Sequence, residues 1–175
     1  MAESKKLLLF EQAVMSHFDA AYSLARWLTQ SSEDADDVVQ EALLRAFTYF
    51  EGFEGSDGRA WLLSIVRNTC YTWIRKNRIR ESVSEFDETV HGLSPAATSP
   101  ETLYLQRVES GKLAECINRL PLEFREVLVL REIEDLSYRQ IADVTGVPMG
   151  TVMSRLSRAR RRMQECMSAS ASNQV

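Results

Sequence analysis

The segment LSYRQIADVTGVPMGTVMSRLSRARRRM, residues 136–163, decides the fold of the C-terminal half of the chain. Ser137 and Gln140 have the S-x-x-Q spacing of a capping box, in which each side chain bonds the backbone N–H of the other residue. Leu136 and Ile141 stand at the two positions of a hydrophobic staple, which fixes the angle at which the chain enters a helix. The pattern therefore predicts a helix that begins directly after Ser137.

A tight turn should end that first helix and lead into a second one. Gly146 follows the last periodic residue, and glycine readily takes the left-handed conformation that closes a helix. Pro148 comes two residues later, and proline is well accepted at the first position of a new helix. A short helix, a glycine-containing turn and a second helix together predict a helix-turn-helix.

The second helix has one apolar face and one polar, arginine-rich face. The apolar side chains recur with helical spacing; they are Val152, Leu156, Ala159 and Met163. A recognition helix contacts base edges with residues near its N-terminus and phosphates with its basic residues. The predicted contacts with duplex DNA are Thr151, Met153, Ser154, Arg155, Ser157, Arg158 and Arg161. The alternative is a solvated amphipathic helix that is rich in arginine.

A second basic segment lies earlier in the chain. Residues 51–80 carry six cationic and three acidic side chains, and the helix predicted within them has a mixed face opposite an apolar one. Arginines, an amide and an aromatic ring share the mixed face, and such groups hold single-stranded nucleic acid by stacking and phosphate neutralisation. The predicted contacts are Ser64, Arg67, Asn68, Tyr71, Arg75 and Arg78. The glycine-rich loop at 51–58 is either a pocket for an extruded base or a connector between helices.

An acidic helix precedes that loop. Ser32 is expected to cap it, with Glu33 and Asp34 near the positive end of the helix dipole. The outer face is predicted to carry Asp37, Gln40, Glu41 and Leu44. A leucine exposed among acids indicates a partner surface that is basic with an apolar centre. A solvated face with one stray leucine is the alternative.

The composition favours an all-α protein. The 175 residues fit one domain or two small ones, and the hydrophobic fraction of 45% excludes a wholly disordered chain. Only seven glycines and four prolines interrupt long apolar-periodic segments. We expect two small helical domains, residues 1–81 and 100–168. A flexible linker at 82–99, where Ser, Thr, Gly, Pro and acids replace the periodic pattern, should join them.

Several classes of function are disfavoured by what the chain contains. A net charge of −4 argues against a general nucleic-acid coating protein. The three cysteines are far apart and form no C-x-x-C pair, so neither a disulfide framework nor a zinc site is expected. The N-terminal apolar run is too short for a signal peptide or a membrane span, so we expect a cytoplasmic protein without membrane insertion. No catalytic triad, metal motif or phosphate-cradling loop is present, so neither an enzyme nor a cofactor is expected.

Three segments of the chain, in this order, resemble a known family. They are DADDVVQEALLRAF at 34–47, WLLSIVRNTCYTWIRKNR at 61–78, and the segment from LPLEF to RARRRM at 120–163. In these motifs and their spacing the chain resembles the two-domain bacterial sigma factors of the extracytoplasmic-function (ECF) class. The resemblance covers most of residues 8–165.

The resemblance implies an alternative sigma factor, which binds core RNA polymerase and directs it to specific promoters in response to stress. The acidic face would bind the clamp helices of the polymerase. The helix at 61–78 would recognise and help melt the −10 promoter element together with the loop before it, which adds Phe53 and Arg59 to its contacts. The helix-turn-helix would bind the −35 element as duplex, and an anti-sigma factor would hold the protein inactive.

A dimeric helix-turn-helix regulator that acts without a sigma role is the alternative function. Such a protein needs a dimerisation face and a ligand-binding or phosphoacceptor domain. The sequence has no alternation of strands and helices that would predict a receiver domain.

Overall fold

The computed structural model describes residues 2–83 and 110–172, and every regular element in these ranges is helical. The prediction of an all-α protein is therefore confirmed. The N-terminal body contains α1 (Ala2–Val14), a 3-10 turn (Met15–His17), α2 (Phe18–Thr29), α3 (Ser32–Tyr49), a second 3-10 turn (Phe50–Gly52) and α4 (Gly58–Val83). The C-terminal body contains α5 (helical over 110–118), α6 (Leu122–Leu128) with a π-helical continuation (Val129–Ile133), α7 (Tyr138–Thr145) and α8 (Met149–Ser172).

The boundary of the N-terminal body differs slightly from the expected one. Helix α4 continues through Val83, two residues into the range that was predicted as a linker, 82–99. The rest of that linker lies outside the described residues. None of the helices in the described ranges is long and apolar enough to cross a membrane.

Helices α2, α3 and α4 pack against one another around an apolar core. Its largest fully buried side chains are Leu24, Val38, Val39, Leu62, Leu63 and Val66. Burial of each such side chain contributes roughly 1.5–3 kcal/mol to folding. Helix α1 adds Phe10, whose ring meets the rings of Phe47 and Phe50 edge-on at centroid distances of 5.3 and 5.4 Å. The long helix α4, which carries the predicted single-strand contacts, is therefore held rigidly along most of its length.

The N-terminus of α3 is capped by Ser31, and the predicted cap at Ser32 is wrong. The Ser31 hydroxyl accepts a hydrogen bond from the backbone N–H of Asp34 at 3.3 Å. Ser31 has the extended backbone that a cap requires, whereas Ser32 is already the first helical residue. Either of the two adjacent serines could cap the helix by its residue type, and the backbone conformation shows that Ser31 does so.

The helix-turn-helix forms as its sequence predicts. The backbone N–H of Gln140 donates to the Ser137 hydroxyl at 3.2 Å, and that of Ser137 donates to the Gln140 side chain at 2.9 Å, which completes the capping box. Leu136 and Ile141 are both fully buried. Gly146 ends α7 with a φ of 70°, the left-handed conformation that glycine takes without strain. These local interactions place α8 against α7 at a fixed angle.

The two bodies lie against each other, with α4 packed on α7 and α2 on α6. The Gln140 side chain donates to the Asp57 carboxylate at 2.9 Å. On the other side, the Gln30 side chain donates to the backbone carbonyl of Asn118 at 2.8 Å. The interface between the two bodies covers part of α4, including Arg67.

The substitution Gly58→Ala is expected to destabilise the N-terminal body. A Cβ atom at Gly58 would lie 2.4 Å from the backbone carbonyl oxygen of Ala13, so one of the two helices would have to shift. Overpacking of this kind costs about 1–3 kcal/mol of unfolding free energy. In the control variant Gly150→Ala the new Cβ has no atom within 4 Å, and stability should stay unchanged or rise. Urea unfolding followed by circular dichroism measures both, and equal midpoints for Gly58→Ala and the unsubstituted chain would contradict the described packing.

Candidate nucleic-acid and protein interfaces

The outer face of α8 is open to solvent over its first three turns. Its exposed side chains include Met153, Ser154, Ser157, Arg158 and Arg161, and Thr151 is half-buried beside them. The predicted apolar stripe faces the opposite way, because Val152, Leu156 and Ala159 are buried. Arg158 and Arg161 form no ion pair within the described residues. The face is thus small and polar near the N-terminus of α8 and cationic further along.

Arg155 does not share that outer face. Its guanidinium lies 3.5 Å from the carboxylate of Glu123 and 3.9 Å from that of Glu126, and only 18% of its side chain is exposed. Arg160 similarly donates to Glu132 at 3.0 Å, and Arg162 lies over the ring of Phe124 at 5.3 Å. The five arginines of α8 therefore fall into two groups, and three of them hold α8 against the rest of the C-terminal body.

Two of the predicted single-strand contacts on α4 face the C-terminal body. Arg67 donates from Nε to Oε2 of Glu126 at 2.9 Å and from Nη2 to Oε1 at 3.2 Å, and its guanidinium lies 3.9 Å from the centroid of the Tyr71 ring. Burial alone would lower the pKa of Arg67, but the hydrogen bond and charge of Glu126 outweigh it and raise that pKa. Burial, followed by the charge of Glu126, raises the pKa of Tyr71. The outward position expected for these two residues is therefore not what this arrangement shows.

Arg59, at the start of α4, also contacts an acidic residue of the C-terminal body. Its guanidinium bonds the backbone carbonyl of Glu134 and lies 3.3 Å from the Glu134 carboxylate. The neighbouring Asp57 accepts from the Ala60 backbone N–H at 2.9 Å, and this bond, together with the one from Gln140, lowers the pKa of Asp57. An acidic residue of the C-terminal body thus pairs with each of two arginines from the N-terminal body.

The remaining predicted contacts of α4 are accessible. Asn68, Arg75 and Arg78 are exposed, and Ser64 is half-buried with its hydroxyl bonded to the Trp61 carbonyl at 2.6 Å. These residues form a surface that continues beyond the contact with the C-terminal body.

Phe53 stands in the loop before α4, stacked among other aromatic rings. Its centroid lies 4.7 Å from that of Trp61 and 6.1 Å from that of Phe50. A groove of about 700 Å³ opens beside it, and its charged lining residues are Lys5 and Lys6 of α1 together with Glu51 and Glu54. Lys6 pairs with Glu51 at 3.4 Å. The loop therefore joins two helices and also borders a space with aromatic walls and balanced charge.

The acidic face of α3 is fully open. Asp37, Gln40, Glu41 and Leu44 are all exposed, and Leu44 has 70% of its surface accessible. An apolar groove of about 410 Å³ runs beside them, between α3 and α1; its lining residues are Leu7, Phe10, Gln40, Leu43, Leu44 and Phe47. The sequence had not indicated the part contributed by α1. The sequence feature that could have indicated it is the run of leucines at 7–9, which is too short to predict a buried helix face by itself.

Comparison with known proteins shows the family to which this chain belongs. The family described as Sigma-70 region 2 matches residues 13–80, and Sigma-70, region 4 matches residues 110–163. The ECF RNA polymerase sigma-E factor of Escherichia coli K12 is 33% identical over 136 residues, which make up 74% of this chain and 71% of that protein. The chain belongs to the ECF sigma factors.

Other relatives of this sigma factor agree with that assignment. The ECF RNA polymerase sigma factor SigE of Mycolicibacterium smegmatis is 32% identical over 93% of this chain, although the chain spans only 63% of its length. Among solved structures, the sigma factor RpoE of Bartonella quintana, in complex with the anti-sigma factor NepR, is 31% identical with a TM-score of 0.74. That match covers 91% of this chain and 96% of the other. One matched family region lies within each of the two bodies, at 13–80 and at 110–163.

Glu126 is another residue of this sigma factor that the sequence did not single out. Its side chain is completely buried, yet it lies within reach of Arg67 and Arg155, one from each predicted DNA surface. The sequence feature that could have pointed to it is its place directly before the apolar run at 127–130, which is buried. An unpaired charge at such a position would be costly.

Proposed function

We propose that this sigma factor binds core RNA polymerase and directs it to specific promoters, acting in the cytoplasm by binding rather than by catalysis. The main support is that the two matched family regions form two bodies, each with a solvent-open face of the predicted chemistry. Each face alone is small and modestly charged, so neither is expected to hold DNA tightly. Tethering both on one polymerase makes the second binding event intramolecular and raises the overall affinity.

The outer face of α8 is proposed to bind the −35 element in the major groove. Ser154 and Ser157 let the helix approach the base edges closely, with Met153 beside them. Arg158 is proposed to reach a base or a phosphate, and Arg161 a phosphate. Arg155 would contribute only after leaving its two glutamates, so we place it in a secondary role.

The exposed side of α4 is proposed to bind the melted −10 element through Asn68, Arg75 and Arg78. The groove beside Phe53 is proposed to receive an extruded base, since its aromatic walls favour stacking with a base. Arg59, Arg67 and Tyr71 are proposed to join this surface once α4 leaves the C-terminal body. The arrangement described here is then a resting form, which must open on the promoter.

The acidic face of α3 is proposed to bind the polymerase, and an anti-sigma factor is proposed to compete for the protein. Support for the second partner comes from the related sigma factor that was solved together with one. Membership of the sigma family favours this assignment over a dimeric regulator.

The substitution Leu44→Ala is expected to weaken binding to core polymerase roughly 5- to 150-fold. An exposed leucine at the centre of an interface loses its buried apolar contacts when truncated, which typically costs about 1–3 kcal/mol. Tyr49→Ala is the matched control, because Tyr49 is equally exposed on α3 but lies outside the predicted face. Affinity is measured with purified core polymerase, and equal losses for the two variants would contradict the proposed interface.

The overall function is tested by transcription in vitro with core polymerase on a randomised promoter library. The expected result is initiation from a defined pair of elements, with poor binding of the same promoters by the free protein. Tight and specific binding to a palindromic site without any effect on core polymerase would instead support the dimeric regulator.

A further inference from the structure

Two of the three cysteines are joined, which corrects the expectation that no disulfide forms. Cys116 of α5 and Cys166 of α8 are bonded with their Cα atoms 5.9 Å apart, although 50 residues separate them in sequence. Cys116 is only 2% exposed, whereas Cys166 is partly accessible. The third cysteine, Cys70, is buried in the N-terminal core, and its burial raises the pKa of the thiol to about 12. Disulfide chemistry is thus concentrated on one pair.

A cleft of about 380 Å³ opens onto the bonded pair and gives a small molecule access to it. Its lining residues are Glu115, Cys116, Arg119, Leu120, Arg162, Cys166 and Ala169. Two arginines stand there against one glutamate, which pairs with Arg119. Nearby cations stabilise a thiolate and attract anionic reagents. The cleft therefore suits a small anionic thiol, such as glutathione, better than a neutral or cationic one.

The opposite side of the same two helices forms the walls of an apolar groove of about 660 Å³. Leu113 and Ile117 of α5 face Met163 of α8 across it, and Trp27 of the N-terminal body also borders it. Cys116 is adjacent to Ile117, and Cys166 stands one turn beyond Met163. The disulfide therefore fixes the separation of the two walls, and breaking it releases that constraint.

We propose that Cys116–Cys166 is a reversible thiol–disulfide site for a small anionic thiol, and that its redox state determines how firmly α5 is held against α8. The proposal rests on the proposed function in one respect. A protein that works beside RNA polymerase meets the reducing cell interior, where a disulfide is usually a transient or redox-sensing one.

The exchange begins at the more accessible sulfur. A glutathione thiolate attacks Sγ of Cys166, the protein S–S bond breaks, and Cys116 leaves as a thiolate that takes up a proton. A second glutathione thiolate then attacks the glutathione sulfur of this mixed disulfide, which releases Cys166 and forms oxidised glutathione. Two electrons pass from two glutathione molecules to the protein, and oxidised glutathione reverses the process.

The first experiment titrates the full chain with reduced and oxidised glutathione and counts free thiols with a maleimide reagent. The variant Cys70→Ala leaves only the two thiols in question. We expect reversible loss and recovery of both thiols together. In Cys116→Ser a mixed disulfide should form at Cys166, and in Cys166→Ser the buried Cys116 should react at least tenfold more slowly. A pair that cannot be reduced or cannot re-form in these buffers, or equal rates in the two serine variants, would overturn the proposal.

The second experiment measures the conformational consequence and the anion preference. Amide exchange at 110–118 should rise at least tenfold on reduction, while exchange at the buried residues of α3 between 38 and 46 stays constant. Glutathione should reduce the pair faster than cationic cysteamine at equal thiolate concentration, and the ratio should fall in the double variant Arg119→Gln, Arg162→Gln. Unchanged exchange, or a ratio that the double variant leaves intact, would refute it. Neither measurement uses polymerase, so failure here is distinct from failure of the proposed function.

Discussion

The substitution Glu126→Gln is expected to open the free protein by separating the N-terminal body from the C-terminal body. Glutamine keeps the shape of the side chain but removes the charge that pairs with Arg67. Removal of one partner of a buried pair costs about 3–5 kcal/mol. We expect about 3 kcal/mol, since the glutamine oxygen still accepts one hydrogen bond, and this shifts the equilibrium roughly 150-fold towards the open form.

The loss falls on the closed form alone, because Arg67 is solvated once the bodies part. Small-angle X-ray scattering should therefore show a larger radius of gyration for Glu126→Gln than for the unsubstituted chain. Under the proposed function, binding of a single-stranded −10 oligonucleotide by the free protein should also rise. Arg59, Arg67 and Tyr71 then become available to the strand.

Glu123→Gln is the matched control for this experiment. Glu123 lies on the same helix and also pairs with Arg155, but 61% of its side chain is exposed and it makes no ion pair with the described residues of the N-terminal body. Its substitution should leave the scattering profile unchanged. The variant Arg67→Gln breaks the same pair from the other side without altering the C-terminal body, and it should open the protein as well. If Glu126→Gln expands the chain and strongly lowers its melting temperature while Arg67→Gln does neither, Glu126 stabilises the C-terminal body itself and not the contact between the bodies.

Local patterns in the sequence were sufficient to predict the helix-turn-helix and most of the residues on its outer face. The capping box at Ser137 and the left-handed Gly146 involve neighbours within a few residues, so their geometry follows from spacing alone. The exposed acidic face of α3 was predictable for the same reason, because helical periodicity fixes which side chains share a side. What these surfaces bind remains a prediction.

Contacts between distant residues could not be predicted in this way. The partners Arg67 and Glu126 are 59 residues apart, and the two bonded cysteines are 50 apart. No periodic pattern connects such positions, and an odd number of cysteines argued against pairing. Two of the arginines that were assigned to open DNA surfaces, Arg67 and Arg155, instead lie beside one buried carboxylate, because an uncompensated charge there would be far more costly.

Loss of the Cys116–Cys166 bond is expected to lower the unfolding free energy of the C-terminal body by about 4 kcal/mol. This is the value that the chain-entropy model gives for a closed loop with a separation of 50 residues between its ends. Small domains bury a limited fraction of their surface and are marginally stable, so a loss of this size is a large part of the total. The bond lies wholly within the C-terminal body, so the N-terminal body should unfold as before.

Urea unfolding followed by amide exchange, resolved by segment, separates the two bodies and measures this difference with and without reductant. Cys116→Ser should behave like the reduced chain under both conditions, and Cys70→Ala should retain the full response to reductant. A loss below about 1 kcal/mol would mean that α6, α7 and α8 hold the C-terminal body without help from α5. The redox state would then not change the separation of the two walls of the groove between α5 and α8. A loss near 4 kcal/mol is the expected result, because without the bond the segment between Cys116 and Cys166 has many more conformations in the unfolded chain. Amide exchange at 110–118 in the folded protein then measures the effect on the wall of the groove.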